Sequence, residues 1–294
     1  MITKLCDCVL DGITLERVVR NEEFVMQDMH FHPEFEIYYM FNGERYYFIE
    51  NKTYQIRKGS LVLIDSMHIH KTSVMGKNFH DRFLIELNAE PFSTFFQNIS
   101  GISLAEFFFK YSCVLELDEQ AQAWIERRFN DIMEEAEKKH DNYSIFIMMK
   151  ITEILLYVHR SYSERLIPHN LSMSDKPKHK MINEIATFIT QGEVRVRTLD
   201  EVCNRFFISK SYLCRVFKEV TGFTVQDYIH IHSVKKAQQL LEQNEMSVAV
   251  ISECLGYNSV TYFERVFKKY TETTPLKYRK KLSIIKQKVR NKKQ

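Results

Sequence analysis

The sequence predicts an α+β chain of two domains: a small antiparallel β-barrel or jelly roll carrying a helical hairpin, followed by an all-α domain with two helix-turn-helix units. Three observations predict it. Short strand-like runs separated by turn residues fill residues 13–89; a 20-residue segment recurs, altered, 50 residues further on near the C-terminus; and the charge changes sign between the two halves. A length of 294 residues accommodates two domains. Hydrophobic residues at 45% and charged ones at 27% are ordinary for a globular protein.

The runs FEIYYMF, ERYYFIE, KTYQI and SLVLID are rich in aromatic and β-branched residues, and DRFLIELN continues the series. Turns are expected at Asn42-Gly43, Asn51-Lys52 and Lys58-Gly59. Such regular spacing of short strands argues for a closed or doubled sheet. From Glu90 the pattern becomes helical, and residues 118–140 and 143–161 read as a hairpin turning at Asn142. Its second arm, SIFIMMKITEILLYV, is apolar on most sides, so the hairpin is a candidate homodimer interface. The divisions expected are a sensor and dimerisation domain over 1–162, a polar linker over 163–178 with Pro168 and Pro177, and a basic domain over 179–294.

One constellation stands out in the β half. His30, His32 and Glu36 precede Gly43 in the spacing H-x-H-x3-E-x6-G, and Gly59 and His70 follow. Positions 30, 32 and 36 share strand parity and can face one interior. Three imidazoles and a carboxylate suit a divalent transition metal. The same groups suit hydrogen bonds to a small polar ligand, or a structural role at a strand entrance. Tyr38, Tyr46 and Phe48 would add aromatic faces for a ligand or bulk for a small core.

In the basic half, SKSYLCRVFKEVTGFTVQDY (209–228) lies over SVTYFERVFKKYTETTPLKY (259–278) with nine identical positions, including Arg215-Val216-Phe217-Lys218 over Arg265-Val266-Phe267-Lys268. Each copy reads as two short helices around a tight turn. Thr198, Ser209, Ser247 and Asn258 are the expected caps. Tyr212, Leu213, Val216, Phe217 and Val220 form the apolar face of one second helix, and Phe263, Val266, Phe267 and Tyr270 that of the other. An amphipathic helix over 225–242 joins the units, with Ile229, Val234, Ala237, Leu240 and Leu241 inward.

Residues 177–294 hold 22 Lys and Arg against 11 Asp and Glu, whereas 1–176 hold 19 against 27. The basic half, with the tail LKYRKKLSIIKQKVRNKKQ, therefore expects a polyanion. Its outward helix faces carry Lys210, Ser211, Cys214, Arg215 and Lys218, then Thr261, Glu264, Arg265 and Lys268, which suit phosphate and base-edge contacts on double-stranded DNA. No apolar run is long enough to span a membrane, and the opening MITKLCDCVLDG has no leader-like apolar core. Cys6, Cys8, Cys113, Cys203, Cys214 and Cys254 are scattered, so reduced thiols in a cytoplasm are expected.

Residues 181–281 resemble the AraC/XylS family of bacterial regulators. The stretch SVAVISECLGYNSVTYFERVFKKYTETTPLKYRK carries the family's G-Y turn, YF-x-R-x-FK helix and TP-x-x-YR end. Glu272 stands where the family usually has Gly, Ser233 where it has Arg, and Cys203 and Ser252 where it has small Ala. The resemblance implies that the second helix of each unit enters the major groove. Lys210, Ser211, Cys214, Arg215 and Lys218 would face DNA in the first, and Ser259, Val260, Thr261, Glu264, Arg265 and Lys268 in the second. The H-x-H spacing resembles the cupin motifs of such sensors, though Asp65, Met67 and Val74 replace Pro, Gly and Asn of the second motif. It implies a cupin-like barrel whose His30, His32, Glu36, Tyr38, Tyr46 and His70 line an effector site, a sugar being the first expectation. Neither metal nor cofactor is expected, RNA polymerase is an expected partner, residues 1–12 are a candidate lid, and no enzymatic activity is expected. A metal-dependent cupin enzyme or metal sensor fused to a DNA-binding module is the alternative.

Overall fold

The computed structural model describes residues 2–22, 32–88, 90–162, 173–191, 198–243, 246–281 and 283. It divides into two compact units, Met1–Lys180 and Met181–Gln294.

Among the described residues the first unit holds eight antiparallel strands: β1 (Ile2–Leu10), β2 (Ile13–Arg20), β3 (Phe35–Ile49), β4 (Lys52–Arg57), β5 (Ser60–Ile64), β6 (His70–Val74), β7 (His80–Leu87) and β8 (Cys113–Glu116). They run in the order β1-β2-β7-β3-β5-β8, with β4 and β6 paired to the far half of β3. The expected turn at Asn42-Gly43 is not a hairpin. β3 runs through it as one 15-residue strand, pairing with β5 and β7 before the glycine and with β4 and β6 after it. The register slips between Met40 and Asn42. Such a bulge exchanges the faces of all later side chains. Gly43 permits the bend, because its φ is +94° and a Cβ there would lie 2.5 Å from the Phe79 carbonyl oxygen.

The sheet is thereby folded over on itself. One face packs Ile37, Tyr39, Leu61, Leu63, Phe83, Ile85 and Leu87 against helices α1 (Phe92–Ser100), α2 (Leu104–Tyr111), α3 (Glu119–Lys138) and α4 (Tyr143–Tyr162). The other encloses Tyr38, Met40, Tyr47, Ile49, Tyr54, Ile56, Val62, Ile64 and Val114. The α3–α4 hairpin starts at an Asp118 cap and turns through Asn142 in a left-handed conformation. Ile145, Phe146 and Met149 remain exposed on α4. β1 is an edge strand paired along β2, so the segment expected to be a lid is part of the sheet. Part of the expected linker is structured as well. Met173 bridges to Tyr54, Ser174 N donates to Thr53 O, and the Ser174 hydroxyl lies 2.6 Å from His179 Nδ1, both residues buried. Residues 163–172 lie outside the described ones.

Helix α5 (Pro177–Thr190) crosses the division between the units. The second unit continues with α6 (Leu199–Phe206), α7 (Lys210–Thr221), α8 (Val225–Gln243), α9 (Val248–Cys254) and α10 (Val260–Thr271). Thr198, Ser209 and Ser247 cap α6, α7 and α9 through their hydroxyls. The cap of α10 is Ser259 rather than Asn258, so the caps of α7 and α10 also repeat at an offset of 50. Val234, Ala237 and Leu241 of α8 pack with Val248, Ile251, Leu255, Phe263, Val266 and Phe267. The basic tail beyond residue 283 lies outside the described residues.

The two copies end unequally. The C-cap of α7 is Gly222 at φ +85°, whereas that of α10 is Glu272 at φ +58°. Both close on the backbone of a lysine, Lys218 O or Lys268 O, at 2.9 Å. The left-handed conformation costs a residue with Cβ about 1–2 kcal/mol, part of which glycine returns through its looser unfolded state. Glu272→Gly is expected to stabilise the second unit by roughly 0.5–1 kcal/mol, read as a higher urea midpoint at unchanged slope.

Candidate functional site

Inside the folded sheet the structure joins His32, Glu36 and His70. The fourth residue of the constellation, His30, lies outside the described residues. His32 Nε2 is 3.6 Å and His70 Nε2 3.2 Å from Glu36 Oε2, and the two imidazoles meet edge to face at 5.0 Å. His70 Nδ1 donates to His68 O at 2.8 Å, which aims Nε2 at the carboxylate. Tyr47 Oη donates to Glu36 Oε1 at 2.6 Å. Burial alone would raise the Glu36 carboxyl, but His70, His32 and Tyr47 hold it well below the ordinary range. Burial opposes the charge on His32, yet Glu36 beside it raises its pKa. Glu86 lies directly across from Glu36 on β7, and burial together with that neighbouring charge raises its carboxyl.

The bulge in β3 sorts the tyrosines. Tyr38 faces the interior with Glu36. Tyr46 does not join them: it meets His179 edge to face at 4.5 Å, with Lys176 Nζ 4.5 Å above its ring. Tyr47 takes the interior place because the slip turns odd positions inward. Strict alternation from Glu36 favours Tyr46, and no signal in the sequence marks the slip except Gly43.

One ligand atom each from His32, Glu36 and His70 lies within 4.8 Å of the others. The 3.6 and 3.2 Å that separate the Glu36 oxygen from the two imidazole nitrogens fit donors around one ion at about 2.0–2.2 Å. The contacts behind them, Tyr47 on the carboxylate and a backbone carbonyl on His70, are the kind that orient metal ligands. The same cluster offers an ionised acceptor and imidazole nitrogens to a hydroxylated small molecule.

In the second unit, α7 buries Leu213, Val216, Phe217 and Val220. This leaves Lys210, Ser211, Cys214, Arg215 and Lys218 exposed. Helix α10 buries Phe263, Val266 and Phe267 and leaves Ser259, Val260, Thr261, Arg265 and Lys268 exposed, with Glu264 half-buried. Tyr212 departs from the expected core face and is exposed, as is its repeat partner Tyr262. Each carries an arginine over its ring: Arg215 Cζ is 5.7 Å from the Tyr212 centroid, and Arg265 Cζ 5.1 Å from that of Tyr262. A guanidinium over an aromatic face is held without losing its outward donors. Lys210 pairs with Asp200 of α6 at 2.5 Å. Ser233 is buried within α8 and lines a cavity of about 380 Å³ with His230, Tyr257 and Tyr262, so its position is interior rather than phosphate-facing.

Comparison with known proteins agrees with this division. Residues 18–155 match the AraC-like ligand binding domain, and residues 202–281 match a helix-turn-helix domain. The chain belongs to the AraC family of transcription regulators. It is 23% identical over 258 residues to the uncharacterized HTH-type transcriptional regulator YdeC of Bacillus subtilis, covering 86% of each chain. It is 42% identical over 81 residues to the xylose operon regulatory protein of Escherichia coli K12, covering 28% of this chain and 21% of that one. Among solved structures, ToxT from Vibrio cholerae matches at TM-score 0.37 and 14% identity, covering 91% of this chain and 98% of that one. Among the described residues no helix is long and apolar enough to cross a membrane.

The ligand-binding domain of this AraC-family chain also buries His80 beside cations. Arg45 Nη2 lies 2.6 Å from His80 Nδ1 and can only donate, so the imidazole accepts and is neutral. Burial, then Arg45 of β3, with Arg20 of β2 and Arg82 of β7 adding to it, lowers its pKa to about 4; the Asn78 carbonyl opposes them. An unfolded chain protonates this imidazole near pH 6.5, the folded one only near 4. His80 therefore makes stability fall as pH drops from about 6.5 to 4, with no effect above that window. In His80→Gln the fall in urea midpoint between pH 7 and pH 4.5 is expected to be shallower than in the parent chain.

Proposed function

We propose that this AraC-family regulator reads DNA with α7 and α10 and that a small molecule held in the folded β-sheet changes that reading. The observation carrying the DNA half is the duplicated exposed arginine on a tyrosine, at the same place on two capped helices 50 residues apart. Arg215 and Arg265 are assigned to guanine edges through their two donors. Lys210, Lys218 and Lys268 are assigned to phosphates, and Ser211, Cys214, Ser259, Val260, Thr261 and Glu264 to the groove around them. Two such helices on one chain address successive major-groove faces, about 10 bp apart.

The sensor half rests on the cluster of His32, Glu36, His70 and Tyr47, with Tyr38 beside it. The match to the xylose operon regulatory protein makes a sugar the first class to screen. Ligand and DNA are coupled only if the ligand binds two states of the chain unequally. The domains are assigned as sensing and dimerisation over 1–162 and DNA binding over 179–294. The exposed Ile145, Phe146 and Met149 of α4 form the proposed contact between two copies, and RNA polymerase is the proposed partner on the promoter.

In a gel shift on a selected operator, Arg265→Ala is expected to weaken specific binding by roughly 1–3 kcal/mol and relax the preference at one base position. Unchanged affinity and preference remove Arg265 from the reading set. Tyr262→Ala, which leaves Arg265 but not its platform, is expected to cost about 0.5–1 kcal/mol.

A second reading, a divalent transition metal on His32, Glu36 and His70, is favoured by donor atoms within 4.8 Å of one another. Zinc, iron or manganese at one equivalent per chain, retained on gel filtration and lost in Glu36→Gln, supports it. Less than a tenth of an equivalent after growth with added metal rejects it, and leaves the effector reading intact.

A further inference from the structure

Three arginines share one wall of the sensor interior. On β2, Ile13 and Leu15 belong to the helix-facing core, so the alternate positions Val18 and Arg20 face inward. On β7, Phe83, Ile85 and Leu87 face the helices, and Leu84 packs on the interior cluster, so Arg82 and His80 face inward with it. On β3 the bulge turns Arg45 inward alongside Tyr47 and Ile49. Arg20 pairs across from His80, and Arg82 lies across from Val18. Arg45 is 1% exposed, and its Nη2 is 2.6 Å from the neutral His80. One guanidinium nitrogen of Arg82 bonds Glu16; the other, Nη1, is buried with no hydrogen-bond partner among the described residues.

The three cations feel one another. Burial first, then Arg82, lowers the pKa of Arg20 against counter-pulls from Glu16, Tyr38 and Glu22; burial, then Arg20 and Arg82 against a counter-pull from Tyr38, lowers that of Arg45. Burial raises the Tyr38 hydroxyl to about 12 against the pull of Arg82, Arg45 and Arg20, and Glu36 acts on the same hydroxyl. Glu16, on the same inward face of β2, offsets part of this charge through Arg82 and Arg20; like charges gathered inside a protein remain costly to the extent that opposite charges do not join them. A neutral sugar brings dipoles but no charge. A carboxylate or phosphate presents two or three oxygens to planar guanidinium forks, the pairing arginine serves best.

We propose that the effector is an anion: a small molecule whose carboxylate or phosphate is bound by Arg82 with Arg20 and Arg45, and whose hydroxyls reach Tyr38 and the Glu36 cluster. This rests on the sensor reading given above and names its ligand class. Arg82 is the anchor because its buried Nη1 has a donor to give.

The test is calorimetric titration of the full chain, at constant ionic strength, with glucose 6-phosphate, glucuronate, inorganic phosphate and glucose. The chain is first saturated with a non-specific DNA duplex, so that its basic half is already occupied. Binding of glucose 6-phosphate or glucuronate at least tenfold tighter than glucose, and weakened at least tenfold in Arg82→Gln, supports the proposal. A response to inorganic phosphate and glucose 6-phosphate assigns the group to phosphate, and one to glucuronate alone assigns it to carboxylate. Glucose binding as tightly as both anions, unaffected by Arg82→Gln, overturns the proposal while leaving the sensor reading standing. Anion binding seen only without the duplex belongs to the basic half and overturns it. Binding of none of the four compounds overturns it too, and the sensor reading then stands or falls on whether any neutral compound alters the gel shift. Should Arg82→Gln not fold, the arginine Nε–H resonances of the unaltered chain decide: movement of side-chain signals on adding the anion supports the site, and none rejects it.

Discussion

The slip in β3 between Met40 and Asn42 is the constraint on which the sensor depends. Before it, even positions face inward and supply Glu36, Tyr38 and Met40; after it, odd positions do, and supply Arg45, Tyr47 and Ile49. A strand without the slip would present Arg45 and Tyr47 to the opposite side and leave Glu36 without its hydroxyl donor. The bend also carries the strand from one layer of the sheet to the other, so one 15-residue segment contributes to both walls of the same interior. Gly43 makes this possible, since the Phe79 carbonyl occupies the space a Cβ would need.

That interior has two chemical ends. At one, a buried carboxylate is held ionised by imidazoles and a phenol. At the other, guanidiniums crowd a neutral histidine. The low polarity around them strengthens both fields. A sugar hydroxyl suits the first end and an acidic group the second. Meanwhile the outer face of the same sheet is nearly all aliphatic and aromatic, so the polar interior sits on a firmly packed support.

What could be read from the sequence followed how local the cause was. Thr198, Ser209 and Ser247 were legible as caps because a hydroxyl three residues ahead of a backbone N–H is a local pattern. The α3–α4 hairpin was legible because its apolar period and Asn142 lie together in the chain. His32, Glu36 and His70 could be grouped because their spacing resembles the cupin motifs, although His32 lies just ahead of β3 rather than in the strand. Tyr47 was hidden because a bulge is set by strand partners rather than by the bulged residues themselves. Tyr212 was placed in the core by its spacing, yet it lies outside, and like its repeat partner Tyr262 it supports an arginine. At two positions where the resemblance leads one to expect glycine, the chain holds a glycine-like backbone without one. Met67 and Glu272, each standing where glycine is usual, both adopt positive φ, at 62° and 58°.

The matched tyrosine–arginine pairs have a last consequence. Their supports are the same in both helices, so each arginine is presented alike. Around them the chemistry differs, with Ser211 and Cys214 on α7 against Thr261 and Glu264 on α10. Glu264 accepts where Cys214 offers only a weak thiol donor. A molecule with two like hands would sit on a palindrome in either sense. With unlike ones, a single bound chain has a head and a tail, and gives polarity to a duplex that has none of its own.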